Sequence, residues 1–325
     1  GPTVDEDDLS DIYISRANSA ASSQITAGLA CLNHLDVQGA LNHLLGATRW
    51  ARAGNNEATL VRALQRLVVA QLVMGRIAEA MSTYRELQNF GGSTVTGEHS
   101  AVCAAMSATN AIRGDFEEAL ALTDDGLDLV DVTGYRFMET ALVGNRVFCL
   151  LQMGSFDAAL EAVDRLEVDR PRRAAALLRN SVALAGDLQH PKPLSESLRL
   201  SALSEREPDV GELGRVMMLA ELALSTADKE VLLGLLPKLE TAERLGVVFV
   251  TSWPTQLPLL LGRVYVALGK DRDAHYCFRK SLDFARVNDL PAQLRMTRYT
   301  LATEWPGETG LLREVDAALD VGGAP

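Results

Sequence analysis

Four stretches of this chain share one pattern: an apolar helix end, a Gly, and an Ala five residues after it. They centre on Gly75 with Ala80, Gly114 with Ala119, Gly154 with Ala159, and Gly269 with Ala274. Gly at a helix end can take the left-handed conformation at little steric cost. An Asp or Ser just after it, such as Asp115 or Ser155, can cap the next helix, and Ala lets two helices approach closely. Gly75 to Gly114 is 39 residues and Gly114 to Gly154 is 40. A fixed period of this length predicts a tandem array of helical hairpins.

Weaker copies extend the array. Leu35 stands where the Gly would be, 40 residues before Gly75, with Asp36 and Ala40 after it; Gly186-Asp187, Ser225-Thr226-Ala227-Asp228 and Trp305-Pro306-Gly307 mark further turns. Turns therefore fall near residues 35, 75, 114, 154, 188, 227, 269 and 306. Second breakers separate the hairpins at Ala53-Gly54, Gly91-Gly92, Thr133-Gly134, Pro208, Leu245-Gly246 and Leu290-Pro291. The reading is all-α: a right-handed superhelix, or α-solenoid, of about eight hairpins over approximately 11–53, 56–90, 97–132, 135–167, 170–206, 209–245, 254–288 and 291–321. Residues 1–10 read as an acidic tail, or the run Asp5-Glu6-Asp7-Asp8 opens the first helix, where negative charge suits the helix dipole; Gly1-Pro2 within them reads as the scar of a cleaved tag on a piece of a larger protein. Abundant Ala, Leu, Glu and Arg, with aromatics at only 5%, agree with helix.

Gly262, Tyr265, Gly269, Ala274 and Phe278 stand at the spacing of the small, aromatic, Gly, Ala and aromatic signature of the tetratricopeptide repeat, which the chain resembles. Ala80 with Tyr84, and Gly28 with Ala40, are partial copies. The period near 40 exceeds the usual 34 of that family and resembles the sensor domain of MalT-like bacterial regulators, signal-transducing ATPases whose helical array follows a nucleotide-binding module. The resemblance implies a binding or sensor domain of a larger bacterial signalling or transcription-regulatory protein. A stand-alone adaptor for assembling protein complexes is the alternative.

Charge and motifs exclude other classes. A net charge of −12 opposes direct nucleic-acid binding. The most apolar stretch, Val247 to Leu261, is interrupted by Pro254 and Pro258 and is too short to span a bilayer. Cys31, Cys103, Cys149 and Cys277 form no CxxC pair, which suits a reducing cytoplasm. Gly269-Lys270 lacks the upstream Gly of a phosphate-binding loop. His99 and Cys103 share a helix face, but two ligands cannot complete a tetrahedral metal site. Asp124-Asp125 and Glu117-Glu118 read as solubilising charges. No enzyme, cofactor or metal site is expected.

In a helical array the first helix of each hairpin lines the concave face. Register from the turn Gly places Arg62, Gln65 and Val69 there in the second hairpin, and Ala101, Ala104 and Ala108 in the third. Ala141, Asn145 and Phe148 follow in the fourth, then Gln256, Leu259 and Arg263 in the seventh. Apolar walls with a few convergent donors suit a peptide, small ligand or protein partner, and the array could also self-associate. Arg173, in the basic cluster Asp169 to Arg173, and Asn180 complete the candidate binding residues. Asn110, Asn145 and Asn180 are 35 apart but hold different positions relative to their turns, which argues against an Asn ladder. Val247-Val248-Phe249-Val250 with Trp253 is either the packed core of a lengthened connection or an exposed contact for a partner.

Overall fold

The computed structural model describes residues 6–90, 99–167, 172–186, 199 and 210–322. Among the described residues it is all-helical, and nine α-helices precede the 187–209 stretch: α1 (Glu6–Asn33), α2 (Val37–Ala53), α3 (Glu57–Val73), α4 (Ile77–Gln88), α5 (His99–Arg113), α6 (Phe116–Thr133), α7 (Glu139–Gln152), α8 (Phe156–Asp164) and α9 (Arg172–Gly186). Six follow it: α10 (Val210–Ser225), α11 (Lys229–Arg244), α12 (Leu257–Ala267), α13 (Asp271–Val287), α14 (Pro291–Glu304) and α15 (Thr309–Gly322). The breakers at Gly91-Gly92 and Pro208, and the second half of the fifth expected hairpin, lie outside the described residues.

One backbone motif makes six of the turns, whereas the turn at Trp305–Gly307 has no positive-φ residue and the one expected near 188 lies outside the described residues. Gly75, Gly114, Gly154 and Gly269 all have positive φ, and so do Leu35 (59°) and Ala227 (53°), which lack the glycine. In every case the next N–H reaches back to a carbonyl of the finishing helix: Asp36 to Cys31, Arg76 to Gln71, Asp115 to Asn110, Ser155 to Leu150, Asp228 to Ala223 and Lys270 to Tyr265, all within 2.8–2.9 Å. This is the Schellman closure, which satisfies carbonyls a helix end leaves unpaired. The same bond recurs between pairs at Asn55, Gly246 and Asp289. At the first of these breakers it is Asn55, and not Gly54, that turns left-handed.

The capping expectation needs correction. Asp36 and Asp228 do accept from Gly39 and Val231, at 2.9 and 3.3 Å. The side chains of Asp115 and Ser155 make no cap bond; the Asp115 carboxylate lies instead 3.4 Å from Arg113. The Ala positions behave as the spacing requires, with Ala40, Ala80, Ala119, Ala159 and Ala274 all fully buried. Gly262 leaves room for the Phe278 ring, which a Cβ there would meet at 3.0 Å.

Packing follows chain order, each helix lying on the next, while alternate helices also touch: α3 on α5, α5 on α7, α7 on α9, α10 on α12 and α12 on α14. Among the described helices, contacts between α5 and α14 and between α1 and α10 leave this order. Gln293 of α14 donates to the Ile112 carbonyl of α5 at 3.3 Å, and Ala292 lies where a Cβ on Gly114 would stand 3.0 Å away.

Between α11 and α12 the chain runs non-helically from Val247 to Gln256 and turns inward. Val247, Phe249, Val250, Trp253, Thr255 and Gln256 are all buried. The amides of Val248 and Phe249 both donate to Val73 at the end of α3. Phe249 meets Phe284 of α13 edge-on at 5.6 Å, and Trp253 meets Phe148 of α7 at 5.5 Å. Of the two readings of this apolar stretch, packed core is the one the structure contains.

Candidate functional site

The inward connection sets the site. Its last residues feed α12, with Pro258 in the first turn, where the missing N–H costs nothing. One helical turn further on, Arg263 projects toward α10 and α14. Its guanidinium takes Glu304 of α14 in a fork, Nε at 2.9 and 3.1 Å from the two carboxylate oxygens and Nη2 at 2.8 Å from Oε1. Glu221 of α10 stands on the other side at 3.9 Å, and Thr255 Oγ1 donates to the same Glu221 oxygen at 3.0 Å.

The three charged side chains are half-buried, at 19% exposure for Arg263, 22% for Glu221 and 32% for Glu304. Burial pushes the Glu221 carboxyl above the ordinary carboxylate range, and Arg263 and the Thr255 hydrogen bond pull it back. Glu304 adds repulsion in the raising direction. One cation therefore lies between two carboxylates, one bound in a fork and one held at longer range. A fork of this kind is directional and can be exchanged for another carboxylate of the same geometry.

The other residues that the register selected are distributed as follows. Gln65, Asn145, Phe148 and Gln256 are buried to 3% exposure or less, so they do not line an open groove. Ala101, Ala104, Ala108 and Leu259 are buried as well. All of these side chains lie in the interior. Asn145 Nδ2 donates to the Ala104 carbonyl at 2.8 Å, and Gln256 Oε1 accepts from Ser281. The Gln65 amide, Asn145 Oδ1 and Gln256 Nε2 have no hydrogen-bond partner. Arg62 is exposed on α3 and Asn180 half-buried on α9. Asp169, Arg170 and Pro171 lie outside the described residues, as does the Arg173 side chain. The connection thus touches Phe148 through Trp253 and approaches Arg263 through Thr255 and Glu221.

Glu221 and Glu304 were not legible as site residues, because a Glu on a helix reads as solvated. The signal available was weak: Glu304 closes α14 just before the Trp305-Pro306 stop. A depression of about 320 Å³ lies between α6, α7 and α8. It is lined by Asp124, Asp128, Glu161, Arg146 and Arg165. Arg146 pairs with Asp124, and Arg165 with Asp131 at 2.7 Å and Glu139 at 3.3 Å. Asp124 is thus an ion-pair member rather than only a solubilising charge.

Cysteine and histidine chemistry is quiet. Burial pushes the Cys103, Cys149 and Cys277 thiols up to about 12, far from the thiolate that reacts, and burial lowers His99. Among the described residues no group of three His, Cys, Asp or Glu side chains could hold a metal ion. No helix among them is long and apolar enough to cross a membrane. No protein-family model and no curated protein matches the chain.

Proposed function

We propose that this chain is a non-catalytic binding or sensor domain of a larger bacterial signalling or transcription-regulatory protein, acting in the cytoplasm. In this reading its helix pairs form a tetratricopeptide-like right-handed superhelix, and a peptide, small ligand or protein partner engages the neighbourhood of Arg263. The observation that carries it is the half-buried guanidinium of Arg263, forked by Glu304 and flanked by Glu221. A ligand carboxylate, such as a peptide terminus or acidic side chain, matches the fork that Glu304 now fills.

Thermal-shift screening of carboxylate-bearing peptides and metabolites tests it, because a ligand that binds only the folded state at 100 times its Kd stabilises by about 2.7 kcal/mol. A shift is expected that disappears in Arg263→Ala. A shift of the same size in that variant would remove Arg263 from the reading. The adaptor alternative is favoured by a different feature: Val132 and Phe137 are exposed at 81% and 74%. The Phe137 ring stands 6.1 Å from that of Tyr135 on the loop between α6 and α7. Exposed aromatics of this kind suit a protein contact. Silence across the screen together with a partner whose binding is lost in Phe137→Ser would decide for the adaptor.

A further inference from the structure

The Val247–Gln256 segment is held in an unusual way. Its tip is a tight turn closed by an antiparallel bridge between Val250 and Trp253, with Thr251 and Ser252 at the apex. That apex enters between α7 and α10 at two glycines. A Cβ on Gly144 would stand 2.5 Å from the Ser252 carbonyl oxygen, and a Cβ on Gly214 would collide with Ser252 Oγ. Glycine inside a helix costs about 1 kcal/mol relative to Ala. Two helices, from hairpins far apart in sequence, bear that cost at the places where the apex needs room.

Few backbone bonds tie it to distant helices. The Val248 and Phe249 amides share one acceptor, Val73, at 2.8 and 3.3 Å; the Val247 amide closes onto Ala242 of the preceding helix at 3.0 Å, the Thr255 amide onto Trp253 at 2.8 Å, and Leu257 at the start of α12 donates to Val248 at 2.9 Å. Side-chain bonds join Thr255 to Glu221 and Gln256 to Ser281 at its C-terminal end. No ladder continues along it. Around it, Asn145 Oδ1 and Gln256 Nε2 are buried with no partner, and each such atom costs about 1–3 kcal/mol. The apex residues Thr251 and Ser252 remain half-exposed, so solvent reaches the tip first. The segment is tightly packed through its side chains, tied by its backbone to only one helix beyond its flanks, and accompanied by unmet polar groups.

We propose that Val247–Gln256 is a releasable strap, an autoinhibitory occupant of a cleft between α7 and α10 lined by Gly144, Phe148 and Gly214. When the strap leaves, the cleft takes an extended peptide of the strap's own chemistry: β-branched apolar residues, a small hydroxyl-bearing turn, then an aromatic. This rests on the reading of the chain as a binding domain, but the strap's mobility is tested without any external ligand.

Amide hydrogen exchange on the full chain is the first measurement. The Val248, Phe249 and Leu257 amides should exchange at least about 10-fold faster than the interior of α5 around Val102–Met106, as a sub-global opening does. Exchange of the strap at the α5 rate would mean that it leaves only when the whole protein unfolds, and would overturn the proposal. A lock sharpens it. The Gly214 Cβ position lies 3.3 Å from Ser252 Cβ, close to the roughly 3.5–4.5 Å a disulfide spans. Oxidised G214C/S252C should slow the strap amides to the α5 rate, and reduction should restore them; exchange unaffected by the lock would count against release at this apex.

The second measurement replaces residues 248–255 by an equal length of Gly and Ser and adds a fluorescein-labelled peptide of the sequence VVFVTSWPTQ. Saturable binding, lost in Gly214→Val, is expected. A folded variant that leaves the peptide free would overturn the cleft, and if the variant does not fold, the exchange comparison on the natural chain decides alone.

Discussion

Gly75 and Gly154 make the same turn in different surroundings. Both have φ of 72°, and in both the following amide closes onto the finished helix at 2.8 Å. Around Gly154 a Cβ would meet nothing within 4 Å, whereas at Gly75 it would meet the Phe284 ring at 2.7 Å and Val248 at 3.1 Å. Gly269 and Gly114 repeat the contrast, the first open and the second against Ala292. A repeat motif therefore specifies how the chain turns, and leaves unspecified what the turn will touch. In this chain the turns of the second and third helix pairs are docking points for residues more than 170 positions further on.

The largest expected effect comes from the ring that backs this contact. Phe249 is fully buried and lies edge-on to Phe284, so Phe249→Ala should cost about 3–5 kcal/mol in urea denaturation. A loss below about 1 kcal/mol would mean that the space refills without the strap. Phe284 would then press on Gly75 for some other reason.

The glycines test the comparison directly. Gly154→Ala should cost about 1–2 kcal/mol, the strain of a left-handed residue with a Cβ. Gly75→Ala should cost that and about 1–3 kcal/mol more for overpacking against a rigid aromatic ring. Equal losses would show that the Phe284 contact yields freely. In a Phe249→Ala background, where Phe284 gains room to move, the excess at Gly75 should shrink.

What could be read from the sequence divides along the same line. The left-handed turns, the buried Ala five residues on, and the inward direction of Gln65, Asn145 and Phe148 are local consequences of helix geometry, and a single stretch of chain reveals them. Val248 meeting Val73, or Ser252 meeting Gly144, depends on segments more than 100 residues apart with no shared period, so nothing near either partner announces it. Inwardness was legible at Asn145, but not that the inside would be filled. Asp115 and Ser155 misled because an Asp or Ser after a turn glycine is a good capping residue by type, while the surroundings settle where its side chain goes: Asp115 lies beside Arg113, whereas Asp36 and Asp228, with the same backbone closure, do cap. Glu221 and Glu304 were invisible for the opposite reason: their role comes from Arg263, 42 and 41 residues away along the chain.

Arg263 probes the C-terminal side of the comparison through pH. Removing it leaves Glu221 and Glu304 facing each other without their cation, and Arg263→Ala should cost about 1–2 kcal/mol at pH 8, kept modest because all three groups retain solvent. The Glu221 carboxyl is already raised by burial, with Arg263 opposing the rise. Without the arginine it rises further. A carboxyl whose folded pKa exceeds its unfolded one favours the folded state most when protonated. Its contribution is full below the unfolded value, about 4.3, and is lost as pH climbs through the folded value. The gap between Arg263→Ala and the natural chain should therefore narrow from pH 8 to pH 4. A gap that stays constant would show that Glu221 is not coupled to Arg263.

The smallest effect should be a gain, and it returns to the turns. Ala227 holds φ at 53°, is exposed, and closes the same bond, Asp228 to Ala223 at 2.9 Å. A Cβ in that conformation costs about 1–2 kcal/mol, while glycine lowers stability by about 0.4–1 kcal/mol through the freedom it adds to the unfolded chain. Ala227→Gly should therefore stabilise by roughly 0.5–1 kcal/mol. Leu35 has nearly the same φ, 59°, but its side chain is 3% exposed. Leu35→Gly removes a buried leucine worth about 1.5–3 kcal/mol and should destabilise despite relieving the same strain. Opposite signs at two turns with one backbone geometry would show, at the scale of a single side chain, that surroundings and not turn type decide what a repeat position can tolerate; matching signs would put the backbone term in control at both.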